Sequence, residues 1–170
     1  MELIGRDPIA NMQEMIEYIE IPQSLKQNFV VISERQKYSF LTSLLAALDL
    51  TKGIIFVATA DQSNYMEKLL NSLSYQFEDP KAPLHDTKII NPDQKIFKLH
   101  GHIKQEERGK IFNDFNNSKH AWLISTDVGC RGLDFKDTNM IILFDVPQDI
   151  TDYINRIGRT ARINQAGTSL

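Results

Sequence analysis

Short runs of β-branched and aromatic residues alternate with segments of helical periodicity along most of the chain. Such alternation is typical of a parallel sheet whose strands are joined by helices. Two of the runs, Ala121–Ser125 and Met140–Phe144, are apolar except for the serine that ends the first, as expected of central strands covered on both faces. The sequence therefore predicts an α/β fold in which an open, mostly parallel sheet carries helices on both faces. The other predicted strands are Phe29–Ile32, Ile54–Val57 and Ile96–Leu99, and the predicted helices span residues 38–48, 61–75 (with Asp61 as N-cap), 105–115 and 149–158.

Two segments interrupt this alternation. Residues 1–20 precede the first predicted strand and are interpreted as an N-terminal arm or linker. Residues 77–95 contain three prolines and exceed the roughly 2–6 residues that usually join such elements, which predicts a surface insertion. Gly167–Leu170 has the composition of a beginning strand, so we expect the sequence to end inside its domain. Residues 21–170 are thus predicted to form one domain with a truncated C-terminal end.

Composition limits the classes of function. The 170 residues carry a formal net charge of -3, so nucleic-acid binding would rest on a few placed contacts rather than on a broadly basic surface. No apolar run approaches the ~18 residues of a membrane helix, and Met1–Asp7 lacks a signal-peptide pattern. The single cysteine, Cys130, favours an intracellular setting and is interpreted as a packed hydrophobic residue. His100 and His102 lack companion ligands, so no metal site is predicted.

Three arginines in the stretch Asn155–Arg162 give the strongest indication of chemistry. Arg156, Arg159 and Arg162 lie three residues apart, so on a helix all three can face one anion. Guanidinium groups keep their charge and present a planar fork of donors that suits phosphate oxygens. Gly158 lets the backbone leave helical geometry and can aim the last two arginines at a common point. The spacing alone is equally compatible with a solvated basic helix face.

A second polar stretch, Ser125–Phe135, begins at the end of an apolar run. The carboxyl end of a strand is the usual ligand edge of an open α/β sheet, and Thr126 is expected there. Taken alone, Thr126 is more simply interpreted as a cap for the following turn. Gly132 permits a ligand to approach the backbone closely, and Asp134 offers a carboxylate to sugar hydroxyls.

Two further strand ends carry residues suited to phosphate. Gly101 follows one predicted strand, and Arg108 lies near the start of the next helix, where backbone N–H groups attract anions. Thr59 ends another predicted strand with a hydroxyl group. In isolation Arg108 is more simply an exposed helix residue, and Thr59 is a weak signal because many strands end in Thr or Ser.

Together these stretches resemble motifs of the DEAD-box ATP-dependent RNA helicases of superfamily 2, in their C-terminal, RecA-like domain. Asn155–Arg162 resembles motif VI (H-R-I-G-R-T-G-R), with Asn155 and Ala161 replacing a histidine and a glycine. Ser125–Phe135 resembles motif V, Leu99–Arg108 the motif IVa region and Ile54–Thr59 motif IV. The motifs follow the family order within residues 21–170.

The resemblance implies a role for each matching residue. Arg159 and Arg162 correspond to catalytic arginine fingers that reach the phosphates of ATP, and Gly132 and Asp134 to residues near the ATP ribose. The residues that correspond to contacts with RNA phosphates are Thr59, Gly101, Arg108 and Thr126. Those that correspond to coupling between domains are Arg131, Asn155 and Arg156.

The sequence contains neither a G-x-x-x-x-G-K-[ST] phosphate loop nor a D-E-A-D string. The resemblance therefore implies that ATP and Mg²⁺ are held mainly by an N-terminal RecA-like domain outside these 170 residues. It further implies that the full-length protein hydrolyses ATP and that this stretch alone does not. The implied partners are that domain, single-stranded RNA bound without regard to sequence, and protein cofactors, with no membrane.

A narrower resemblance concerns Ile21–Gln27, the alanine at position 161 and the insertion before Leu99. These features are similar to a nucleolar branch of the family that acts in ribosome biogenesis, which implies a nuclear or nucleolar location. Two alternatives stay open. Asn155 is compatible with a low-turnover RNA clamp or scaffold, and a related superfamily 2 translocase could act on DNA instead.

Overall fold

Six parallel strands form one sheet in the computed structural model, which describes residues 22–48, 51–74, 90–160 and 166–170. The strands lie in the order β1-β6-β5-β2-β4-β3, and every neighbouring pair is parallel. The predicted open parallel sheet is therefore confirmed. The strands are β1 (Leu25–Gln27), β2 (Lys52–Phe56), β3 (Lys95–Leu99), β4 (Ala121–Ser125), β5 (Met140–Leu143) and β6 (Gly167–Ser169).

Helices cover both faces of the sheet, as the sequence predicts. On one face, Ile55 of β2 packs in a cluster with Leu41 and Met66 from two successive helices. On the other face, Ile54 packs with Phe115 and Phe135. Because successive strand residues point to opposite faces, the mainly apolar central strands supply both clusters. The helices are α1 (Lys37–Ala47), α2 (Ala60–Ser74), α3 (Gln105–Asn117), α4 (Asp127–Cys130) and α5 (Ile150–Ile157), and α1 follows a short 3₁₀ turn (Glu34–Gln36).

The first predicted strand is wrong in its position. The pairing of Gln27 with Ser169 ends β1, and Phe29–Ile32 lies outside any regular element. β-Propensity alone does not make a strand, because its backbone groups need a partner. No residue of β6 lies opposite Phe29–Ile32 in the described part of the chain. The side chain of Phe29 is consequently 87% exposed.

Two other expectations change at their boundaries. The N-cap of α2 is Thr59 rather than Asp61, because the Thr59 hydroxyl accepts a hydrogen bond from the backbone N–H of Gln62 at 3.1 Å. The segment predicted as an insertion at 77–95 is described only from residue 90 onwards. Ile90 is buried in the core and β3 already begins at Lys95, so these residues belong to the packed domain. Residues 1–20, the predicted arm, lie outside the described residues.

Candidate functional site

The carboxyl edge of the sheet collects the residues that the motifs single out. Thr59 follows β2, Gly101 follows β3 and Thr126 follows β4, so the parallel strands deliver all three to one edge. Helices α2, α3 and α4 begin at the same edge and direct their first backbone N–H groups towards it. This placement agrees with the expectation for ligand sites in open α/β sheets.

A cleft of about 240 Å³ lies between α4 and α5 at this edge. It brings together residues of three motif stretches that are well separated in the chain. Asp134 does not line the cleft, and Arg162 lies outside the described residues. The lining residues are Phe56, Asp127, Cys130, Arg131, Gly132, Asp152, Asn155, Arg156 and Arg159.

Arg156 points into the domain and not towards the cleft mouth. Its side chain is only 4% exposed, and its Nε and Nη2 atoms donate to the two carboxylate oxygens of Asp127, each at 2.8 Å. Its Nη1 atom donates to the backbone carbonyl of Asp145 at 2.8 Å, and the guanidinium lies 5.3 Å from the ring centroid of Phe56. The expectation that the arginines share one exposed helix face is therefore wrong for Arg156. Any coupling role of this residue acts through the position of α5.

Arg159 lies beyond the end of α5 and is partly exposed. Its Nη1 atom donates to the carbonyl of Leu133 at 2.6 Å, and its Nε donates to the carbonyl of Asn155 at 3.2 Å. The backbone leaves helical geometry at Gly158, with a φ of -66° and a ψ of 2°, and this φ is one that any residue can adopt. The Arg159 side chain therefore donates to two neutral backbone carbonyls at the cleft, which a stronger anionic acceptor can replace.

The cleft mouth is formed by Arg131 and Gly132. The Arg131 side chain is 71% exposed, and its Nη2 atom lies 3.9 Å from a carboxylate oxygen of Asp152. Gly132 has a φ of +71°, in the left-handed region that favours glycine, and no atom lies within 4 Å of where a Cβ would stand. Open space and glycine backbone geometry together allow a ligand to approach here. Asn155, which also lines the cleft, is exposed, as is Asp134, two residues after Gly132.

A second group of motif residues is held together by the first turn of α4. Thr126 caps this helix through its hydroxyl, which accepts from the N–H of Gly129 at 3.4 Å, so the simpler interpretation of Thr126 is confirmed. Arg108 Nη2 donates to the carbonyl of Gly129 at 3.2 Å. A Cβ on Gly101 would stand 3.1 Å from a methyl group of Val128. Gly101, Arg108 and Thr126 therefore surround one helix start.

Thr59 lies apart from these three residues, at the start of α2. Among the described residues it makes no hydrogen bond to Gly101, Arg108 or Thr126. Its hydroxyl is committed to capping α2, yet the residue is exposed at the sheet edge. A single extended ligand along this edge would be needed to contact all four.

Comparison with known families identifies the domain. Residues 36–164 match the family model described as the helicase conserved C-terminal domain. The chain belongs to this family. It is 34% identical over 166 residues to "DEAD-box ATP-dependent RNA helicase 17" of Oryza sativa subsp. japonica, which covers 95% of this chain and 28% of the rice protein. This helicase domain thus spans little more than a quarter of that relative's length.

Solved structures show the same fold. The C-terminal domain of the DEAD-box protein Dbp5 has a TM-score of 0.67 to this domain at 27% identity, covering 86% of this chain and 74% of that chain. Domain 2 of the Mss116p DEAD-box helicase, solved bound to an RNA duplex, has a TM-score of 0.59 at 27% identity, and the match covers 79% of this chain and 46% of that chain. The predicted RecA-like fold of a DEAD-box C-terminal helicase domain is confirmed.

Sequence reasoning missed Asp145, which follows β5 at the same edge of the helicase domain. Its carboxylate accepts a hydrogen bond from Lys37 Nζ at 2.8 Å and another from the backbone N–H of Ala58 at 2.9 Å. Burial acts to lower the pKa of Lys37, but its hydrogen bond and charge interaction with Asp145 outweigh this, so the pKa is raised. The available signal was the position of this acidic residue, directly after the predicted apolar run Met140–Phe144.

The remaining reactive side chains of the edge are buried. Burial raises the pKa of Cys130 to about 12, which leaves no thiolate near neutral pH and confirms it as a packed residue. Burial, followed by the charge of His102, lowers the pKa of His100, and its Nε2 lies 3.2 Å from the amide oxygen of Asn64. Within the described segments, no group of three or more potential ligands could hold a metal ion, and no helix could span a membrane.

Proposed function

We propose that this domain is the C-terminal half of an ATP-dependent RNA helicase and completes an ATPase site whose other half lies on an N-terminal RecA-like domain. The observation that carries the proposal is the cleft between α4 and α5. It gathers Arg131, Gly132 and Arg159 at the carboxyl edge but has a volume of only about 240 Å³. Sites that enclose a small molecule usually measure about 300–1,000 Å³, so this cleft fits one side of a shared nucleotide site.

In the proposed site, Arg159 exchanges the Leu133 carbonyl for phosphate oxygens of ATP when the two domains close. Arg162 acts beside it as a second arginine finger, and Gly132 and Asp134 approach the ribose. ATP and Mg²⁺ are held mainly by the N-terminal domain, where Mg²⁺ neutralises phosphate charge. Fixed guanidinium groups stabilise the charge that develops as the terminal phosphate is transferred.

RNA binds along the same edge through its phosphates in this proposal. The first turns of α2, α3 and α4 offer backbone N–H groups to the phosphates. The side chains of Thr59, Arg108 and Thr126 contribute further contacts, and Gly101 allows the RNA backbone to approach closely. Arg108 supports this role because its partly exposed side chain lies at this edge, where its Nη2 donates to the carbonyl of Gly129 at 3.2 Å. Phosphate contacts carry no sequence information, so binding is sequence-independent. Bending of the held strand then separates it locally from its complement.

The exposed residues at the cleft mouth, Arg131 and Asn155, are proposed to contact the N-terminal domain and to couple its nucleotide state to RNA binding. Asn155 can hydrogen-bond but cannot carry the positive charge of the family histidine. The similarity of Ile21–Gln27 to a nucleolar branch leads us to place the parent protein in ribosome biogenesis, in the nucleus or nucleolus. Protein cofactors would act on the closed two-domain state.

Salt dependence tests the proposed RNA-binding mode. If three or four phosphates are neutralised, the logarithm of single-strand affinity of the full-length protein should fall with the logarithm of salt concentration with a slope of about -2 to -3. Arg108→Gln should reduce the magnitude of this slope by about 0.7. Fluorescence anisotropy with a labelled single strand measures both.

Lys110→Gln provides the control, because Lys110 is exposed on the same helix and pairs with Glu106 at 3.3 Å. This variant should keep the wild-type slope. A flat salt dependence of the wild-type protein would exclude a phosphate-dominated mode.

A further inference from the structure

Asp145 joins three elements of the domain, two of which carry residues that the proposed function uses. One carboxylate oxygen accepts from the backbone N–H of Ala58 at 2.9 Å, and the other accepts from Lys37 Nζ at 2.8 Å. The backbone carbonyl of the same residue accepts from Arg156 Nη1 at 2.8 Å. The Asp145 side chain is only 18% exposed, and its contact with Lys37 is partly buried. One residue therefore holds the end of β2, the start of α1 and helix α5.

The contact with Ala58 helps to fix the position of Thr59, a residue that is proposed to contact RNA. Ala58 directly precedes Thr59, whose hydroxyl caps α2. The Ala58 N–H also lies 3.2 Å from the side-chain oxygen of Gln62, so two acceptors anchor this turn. Because the peptide bond is planar, moving the N–H of Ala58 reorients the residues that follow it. The position of Thr59 at the sheet edge depends on Asp145 in this way.

The contact with Arg156 leads to the nucleotide cleft. Arg156 lies on α5, three residues before Arg159, and it also donates two hydrogen bonds of 2.8 Å to the carboxylate of Asp127. A displacement of α5 that moves Arg159 therefore also moves Arg156 and strains the hydrogen bonds of Arg156 to Asp145 and Asp127. Charge-assisted bonds of this length are stiff and directional, so they transmit a displacement instead of absorbing it.

We propose that Asp145 is a positioning residue that couples the arginine of the nucleotide cleft to the RNA-facing turn Ala58–Thr59. The inference rests on the proposed function and deepens it by naming the connection between its two sites. When Arg159 engages ATP on the partner domain, α5 shifts, and Asp145 carries the shift to the N–H of Ala58. Binding of ATP then favours the RNA-binding position of Thr59, and by linkage RNA favours the ATP-binding position of Arg159.

A purely structural role for Asp145 predicts a different result. A partly buried ion pair with Lys37 would add to stability, and its loss would lower the unfolding temperature. It would not change how strongly ATP and RNA affect each other's binding. The distinguishing quantity is the ratio of RNA dissociation constants without and with nucleotide, measured on folded protein.

The experiment uses Asp145→Asn in the full-length protein, which keeps the size of the side chain and removes its charge. The dissociation constant for a labelled single-stranded RNA is measured with and without a non-hydrolysable ATP analogue and Mg²⁺. The ratio of the two constants should fall about three- to tenfold relative to the wild type. Affinity for the analogue in the absence of RNA should stay within about twofold, because Asp145 does not line the cleft.

Glu67→Gln is the matched control. Glu67 is 24% exposed and pairs with Lys98 of β3 at 3.5 Å, whereas Asp145 contacts Ala58 and Arg156. This variant should keep the wild-type ratio. Lys37→Gln serves as the second variant if Asp145→Asn fails to fold, because it loosens Asp145 without removing the bond to Ala58. It should reduce the ratio in the same direction by a smaller factor.

A double-mutant cycle with Thr59→Ala locates the effect. If Asp145 acts through this turn, Asp145→Asn should have no further effect on the ratio in a Thr59→Ala background. An unchanged ratio in both Asp145→Asn and Lys37→Gln, or full additivity with Thr59→Ala, would overturn the inference. Failure of the proposed function looks different, because the wild-type protein itself would then bind RNA equally with and without the analogue.

Discussion

Arg159→Ala in the full-length protein is expected to lower RNA-stimulated ATP hydrolysis by about 10³–10⁵-fold, the range typical of an arginine finger. The guanidinium lies at the mouth of the α4–α5 cleft on the carbonyls of Leu133 and Asn155, from which it can turn to phosphate. Its loss removes charge stabilisation that is much stronger in the transition state than in the bound substrate. The turnover number should therefore fall by a far larger factor than the Michaelis constant for ATP rises. Steady-state phosphate release measures both constants.

Two variants sharpen this test. Arg159→Lys retains a charge without the planar fork of donors, so it should recover only a small part of the lost rate. Arg35→Ala, at an exposed position in the 3₁₀ turn before α1, should leave turnover unchanged. A loss of less than about tenfold in Arg159→Ala would remove this residue from the catalytic machinery.

Arg156→Met is expected to destabilise the isolated 170-residue chain by about 3 kcal/mol. The substitution removes two hydrogen-bond donors, each at 2.8 Å, from the Asp127 carboxylate and one from the Asp145 carbonyl. It also removes the guanidinium that lies over the ring of the buried Phe56. For a domain of this size the melting temperature should fall by roughly 6–12 °C. Urea denaturation followed by tryptophan fluorescence is suited to the measurement, since Trp122 is fully buried.

Arg131→Met is the control for Arg156→Met. Arg131 belongs to the same cleft, but its side chain is exposed and its distance to Asp152 is 3.9 Å. Exposed pairs of this kind contribute little, so stability should change by less than about 0.5 kcal/mol. Equal effects of the two substitutions would contradict the buried role of Arg156.

The sheet and its ligand edge could be predicted because the determining signals are local. The apolar runs that became β4 and β5 need no knowledge of the rest of the chain to be recognised as buried strands. Thr126 and Gly101 were then placed at the carboxyl edge by their position after a strand. The strand predicted at Phe29–Ile32 failed because strand formation depends on a partner, and the sequence pattern does not reveal where the partner ends.

The cleft was harder to predict than the sheet. Spacing gives the angle between Arg156 and Arg159 on an ideal helix, but it does not show that α5 ends at Ile157 or which side faces the domain. The acceptor that turns Arg156 inwards is Asp127, in another motif, and such a contact follows only from the packed structure. Asp145 went unnoticed for the same reason, since its importance lies in the residues that it joins.

In the proposed function, this domain supplies one side of an ATPase site. The most direct measurement compares RNA-stimulated ATP hydrolysis by residues 1–170 and by the full-length protein at equal concentration. We expect turnover in the full-length protein and only background phosphate release from residues 1–170, because the cleft holds arginines but no loop that cradles phosphates. RNA-stimulated turnover by residues 1–170 alone would contradict the claim that the site is divided between two domains.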